Sequence, residues 1–166
     1  MQQNCVVVAG GSRARFFTLN EAEFPEMQSG PNLCEVNDLV NPEQEAQGNE
    51  LWSDTKSGRN RGGAGGGTHG YDDHRSQHED EYERRFARDI AREAARLIEK
   101  SSTRQLVLVA QKRILGFLRN ELDTLIKAGV EIRELAKDLT KLSTLELHEH
   151  LAREHLIPQR RSPALS

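Results

Sequence analysis

Between residues 41 and 81 the chain holds a single member of the set Val, Ile, Leu and Phe, namely Leu51. The other 125 residues hold 37 of the 38 such residues, a density near 30% and enough for a compact core. Any fold must therefore be built from two apolar flanks that close across a long polar segment. A structureless stretch of this length inside a domain is uncommon and is either functional or disordered. The expected organisation is one domain over 1–157, a polar loop at about 41–76, and a flexible tail at 158–166.

Within that segment, "GRNRGGAGGGTHG" (58–70) gathers seven of the chain's thirteen glycines. It is not a phosphate loop of the G-x-x-x-x-G-K-[ST] type, because no lysine follows the glycines. It is not a dinucleotide fingerprint either, since that sits directly between a strand and a helix. Two readings remain: a solvent-exposed tether, or a mobile arm whose bare backbone approaches an RNA or protein surface closely.

The flanks carry regular patterns. "NCVVVAGG" is a short β-branched apolar run stopped by glycines, the mark of a buried strand. "ARFFTL" follows closely enough to pair with it in antiparallel fashion, and "LCEVNDLV" (33–40) reads as a third, edge-like strand. Helical periodicity begins at about Gln77 and runs to Lys100, with Phe86, Ile90, Ala94 and Leu97 on one face. "RQLVLVA" is another buried strand, and "KRILGFLRNELDTLIKAG" an amphipathic helix with Gly129 as its expected C-cap. "VEIRELAKDL" is read as a strand with Ile132 and Leu135 inward, with helix as the rival. "STLELHEHLAREHL" opens with Ser143 and Glu146 in capping-box spacing. The first connections are too short for parallel crossovers, whereas the later ones contain helices. The expected fold is α/β: a five-stranded mixed sheet, its first three strands antiparallel, with flanking helices, in a ribonuclease H-like arrangement.

A net charge of −3 gives no global nucleic-acid signal, so anion binding must be local. Cys5 and Cys34 lack metal-ligand spacing and read as buried free thiols of a reducing compartment. No basic n-region opens the chain, and no apolar run approaches the roughly 20 residues that span a bilayer. The expectation is a cytoplasmic protein without membrane insertion.

A local basic signal follows the glycines. Arg84, Arg88, Arg92, Arg96 and Lys100 recur every four residues, a slowly drifting helical stripe. Like charges at this spacing destabilise a helix slightly, and Asp89, Glu93 and Glu99 are placed to offset them. The stripe is either a salt-laced solvated face or a row of phosphate contacts. His69, Asp72, Asp73, His74 and His78 are close in sequence but lack a metal-binding frame; "HEHLAREH" reads as a polar helix face. Two-metal hydrolysis needs converging carboxylates, and "NCVVVA" has none. No catalytic residue, metal or cofactor is assigned.

The stretches "VVVAGGSRARFF", "SDTKSGR", "RRFARDIA", "LVLVAQKRILGFLR" and "ELAKDLTKLSTLELHEHL" together resemble the bacterial host-attachment protein family, in order and over nearly the whole chain. That family is similar in turn to the Gly-Gly-Gln central domain of archaeal and eukaryotic class-1 peptide release factors. This resemblance implies the ribonuclease H-like fold and a link to the ribosome or tRNA. Arg85, Phe86 and Arg88 match the release factors' Arg-Phe-x-Arg helix, and Gly62 and Gly63 match the glycines. Ala64 stands where the glutamine would be, and the loop-to-helix gap is longer, so peptidyl-tRNA hydrolysis is disfavoured.

The leading expectation is a non-enzymatic ribosome- or RNA-associated factor. Its candidate contacts are Arg59, Arg61, Gly62, Gly63, Gly65, Gly66, Gly67 and His69 on the loop, with Arg84, Arg85, Arg88 and Arg92 on the helix. The alternatives are an interaction module for an unidentified protein partner in attachment, and a residual peptidyl-tRNA or RNA hydrolase. The sequence leaves the oligomeric state open.

Overall fold

The structure is a computed structural model that describes residues 4–41 and 68–163, and of residues 68–77 and 79 the backbone alone. The elements run β1 (Asn4–Ala9), β2 (Arg13–Asn20), β3 (Asn32–Val40), α1 (Thr68–Ser101), β4 (Gln105–Val109), α2 (Lys112–Leu125), β5 (Glu131–Leu135) and α3 (Thr144–Arg153). The five strands form one mixed sheet in the order β3-β2-β1-β4-β5. β1 pairs antiparallel with β2, as β2 does with β3; β4 joins β1 in parallel and β5 joins β4 in parallel. The glycine segment up to Gly67, with Arg59, Arg61, Gly62, Gly63, Gly65 and Gly66, lies outside the described residues.

β1 is central and buried along its whole length, and apolar after Asn4, because helices cover both of its faces. Alternation then sorts its side chains. Cys5, Val7 and Ala9 face a core with Phe86, Ile90 and Ala94 of α1 and Leu115, Leu118 and Leu122 of α2. Val6 and Val8 face the opposite core, with Phe17 of β2 and Leu147 and Leu151 of α3. Three layers result, with α1 and α2 on one side of the sheet and α3 on the other. Cys5 is fully buried, and its Sγ lies 2.8 Å from Thr103 Oγ1. Ser101 Oγ donates to the Leu97 carbonyl (2.6 Å) and accepts from Thr103 (2.6 Å), so Thr103 is left to accept from the thiol. Cys34, expected buried as well, is only half-buried, because β3 is an edge strand.

Four expectations are corrected. α1 starts at Thr68, nine residues before the helical periodicity becomes visible. Apolar periodicity reports only turns that pack against something, and Phe86 is the first buried residue of this helix among those whose side chains are described. At 34 residues α1 is roughly 50 Å long. Ile132 is 37% exposed although Leu135 packs inward, because residues three apart on a strand point to opposite faces and β5 is the other edge of the sheet. α2 ends at Leu125, so Gly129 does not cap it directly; it takes φ = 103° in the turn leading to β5.

The fourth correction concerns the tail. Leu156 and Ile157 are buried, and the backbones of Arg161 and Gly30 exchange hydrogen bonds of 2.7 and 3.1 Å. Arg160 Nε donates to Asn32 Oδ1 (3.1 Å). His148 of the supposed polar face is 2% exposed, and its Nε2 donates to the Pro158 carbonyl at 2.9 Å. The segment up to 163 is therefore fastened to α3 and β3.

The capping box of α3 forms as its spacing predicts. Ser143 Oγ accepts from the Glu146 amide (3.2 Å), and the Glu146 carboxylate accepts from the Ser143 amide (3.1 Å). These bonds hold the Glu146 carboxyl below its ordinary pKa. Ser143→Ala is expected to cost about 1 kcal/mol, read as a lowered urea midpoint with an unchanged denaturant slope.

A candidate nucleic-acid interface on the long helix

α1 packs its apolar stripe on the sheet and turns its arginines outward. Arg84, Arg85, Arg88 and Arg92 are all exposed. Their surroundings differ. The Arg84 guanidinium lies over the Phe117 ring of α2, 5.2 Å from its centroid. Arg88 Nε stands 3.7 Å from Glu121, also on α2. Arg85 pairs with Glu81 one turn earlier (2.5 Å), on another side of the helix. Arg92 has no carboxylate partner among the described residues. Arg84 and Arg88 thus lie along the α1–α2 seam, Arg92 continues that line, and Arg85 stands apart from it. His69 falls in the first turn of α1, where only the backbone is described.

The expected offset of like charge within α1 holds for one pair, Arg96 with Glu93 at 2.7 Å. The other ion pairs come largely from neighbouring elements, which periodicity on one helix does not reveal. Arg113, in the first turn of α2, binds both Asp80 and Glu83 of α1 and fixes the two helices together. Arg119 of α2 grips Glu134 of β5 through two bonds of 3.0 and 2.5 Å, which lower the Glu134 pKa and raise that of Arg119. Asn37 of β3 donates to Glu93 Oε1 (2.8 Å), so Glu93 ties α1 to the edge strand.

The Glu93 carboxyl is held below its ordinary pKa, first by Arg96 and then by Asn37, against the opposing effect of burial. A carboxylate depressed in the folded state adds stability that is present above the unfolded pKa, about 4.3. That contribution is lost as the pH falls through the folded value. Glu93→Gln is expected to be less stable than the parent at pH 7, with the gap closing below about pH 4. Urea midpoints across pH 3 to 7 measure it; a gap constant over that range would show that the charge of Glu93 contributes nothing.

Sequence reasoning missed Arg15. It is nearly buried, with 8% of its side chain exposed. It forms a fork on Glu35 (2.8 Å between Nη2 and Oε1), donates to the carbonyls of Thr140 (3.2 Å) and Leu142 (2.6 Å), and lies 5.1 Å from the Phe17 ring centroid. Strand alternation in "SRARFF" does carry the signal, since Arg15 shares a face with Phe17 and Leu19. Among the described residues, no group of three His, Cys, Asp or Glu side chains is placed to hold a metal ion. No described helix is long and apolar enough to cross a membrane.

A single mixed sheet with two helices on one face, the first long and bearing exposed arginines, defines an α/β protein with a candidate anion-binding surface. The family described as "protein required for attachment to host cells" matches residues 5–151, and the chain belongs to that family. No curated protein matches the chain.

Proposed function

We propose that this protein is a non-enzymatic, cytoplasmic factor that docks on RNA of the ribosome or on tRNA. The observation that carries the reading is the exposed line of Arg84, Arg88 and Arg92 along α1. Guanidinium groups in such a line match successive phosphates. The segment from Arg59 to Gly67, which precedes α1 in the sequence, is the proposed arm. The strand order β3-β2-β1-β4-β5 supports a ribonuclease H-like scaffold similar to the release-factor central domain. Ala64 in place of glutamine, and the lack of a carboxylate in β1, favour binding over hydrolysis.

Sedimentation of the tagged protein through sucrose gradients tests this reading, at low and high salt, with and without ribonuclease. Salt-sensitive co-migration with ribosomes that ribonuclease collapses is the expected result. Migration at the top of every gradient would overturn it. A protein-interaction module serving attachment is the second reading, favoured by the carboxylate partners that Arg85 and Arg88 already have. Capture that persists at high salt and after nuclease treatment would select it.

A further inference from the structure

A cleft of about 870 Å³ lies at the far end of α1, at the amino-terminal ends of β4 and β5. Two turns form its walls. One passes through Ser102, with φ = 54°, and the other through Gly129; the Glu131 amide donates to the Arg104 carbonyl (2.8 Å) and joins them. Arg92, Arg96, Arg104 and Lys127 line the cleft, against one carboxylate, Glu99. Four arginines elsewhere in this acidic chain are matched to acids, Arg13 to Asp38, Arg15 to Glu35, Arg113 to Asp80 and Arg119 to Glu134, and Arg96 at the cleft pairs with Glu93. Around the cleft, Arg92, Arg104 and Lys127 have no carboxylate partner among the described residues. The remaining lining is apolar, with Ile98, Leu125, Ile126 and Val130. Leu125 is 42% exposed, a large apolar side chain left open.

Unmatched cations beside an apolar surface suit a ligand that is anionic at one end and flat and weakly polar at the other. The volume falls in the range of small-molecule sites, roughly 300–1,000 Å³. Inorganic phosphate would satisfy the cations and leave the apolar wall wet. A nucleoside phosphate uses both, with its phosphate on the cations and its base against Leu125 and Val130 or stacked on a guanidinium plane.

We infer that this cleft binds a nucleoside phosphate, taken either as a free mononucleotide or as one nucleotide of an RNA strand. The inference goes beyond the docking face, because Arg104 and Lys127 lie outside α1. Calorimetric titration of the full chain tests it with four probes: adenosine monophosphate, adenosine, inorganic phosphate and a short 5′-phosphorylated oligoribonucleotide. Adenosine monophosphate or the oligonucleotide is expected to bind at least tenfold more tightly than adenosine or phosphate alone. Tighter binding of the mononucleotide identifies the free ligand as the source, and tighter binding of the oligonucleotide identifies RNA. Arg104→Glu combined with Lys127→Glu is expected to weaken binding at least tenfold, whereas Lys141→Glu leaves it unchanged. Arg104→Gln, scored alongside a thermal melt, guards against misfolding of the double variant. Binding of neither nucleotide probe at millimolar concentration overturns the inference. So does equal binding of phosphate alone, or binding indifferent to Arg104 and Lys127. Failure of the docking reading shows separately, as parent protein at the top of the ribosome gradient.

Discussion

Arg15→Ala is expected to lower the unfolding free energy by about 3 kcal/mol. The substitution removes a fork on Glu35, two hydrogen bonds to the segment before α3 and the stacking on Phe17. It leaves Glu35, with 28% of its side chain exposed, next to an empty space without its cation. For a chain of this size the melting temperature should fall by about 10 °C. Arg15→Lys keeps the charge but cannot reproduce the planar fork, so it should recover only part of the loss. Thermal and urea melts of the three proteins decide the matter. A loss below about 1 kcal/mol would place Arg15 among ordinary surface ion pairs.

The second large effect is on binding. Arg88→Glu combined with Arg92→Glu is expected to weaken association with ribosomal RNA on the order of 100-fold at moderate salt. The slope of log affinity against log salt should fall by about two, one for each phosphate contact removed. The fold should tolerate the change. Arg88 sits 3.7 Å from Glu121 with about half of its side chain exposed, so a carboxylate there adds only weak repulsion. Fluorescence anisotropy across a salt series, with circular dichroism as the folding control, makes the measurement. Unchanged affinity and slope would remove α1 from the RNA reading and move the search to protein partners.

Strand and helix order was legible because burial leaves a periodic trace. The β-branched run at Val6–Val8 marks a strand covered on both faces. The short links between β1, β2 and β3 require antiparallel pairing, and the helices before β4 and β5 allow parallel pairing. The first turns of α1 were not legible, because their sequence lacks apolar residues at helical spacing. Ile132 was misplaced because it lies on the opposite face from Leu135, and apolar identity does not reveal that this face of an edge strand is left partly open.

The candidate interface was legible in part. The spacing of Arg84, Arg88 and Arg92 predicts a stripe, and the structure places all three exposed on α1. It also sets Phe117 and Glu121 of α2 beside two of them, a proximity across more than 30 residues that helical spacing cannot report. The cleft at the other end was hidden for the same reason. Arg92, Arg104 and Lys127 come from one helix and two separate turns and share no local pattern.

What the sequence by itself determined is local: the order of most helices and strands, the buried faces of β1 and of the packed part of α1, and where α3 begins. Each follows from neighbouring residues through propensity, alternation and capping. Only the tertiary structure decided which charges are matched and which stand open. Ion pairing depends on distance in space, and the fold alone brings Arg15 to Glu35, Arg119 to Glu134, and Arg104 and Lys127 to the lining of one cleft.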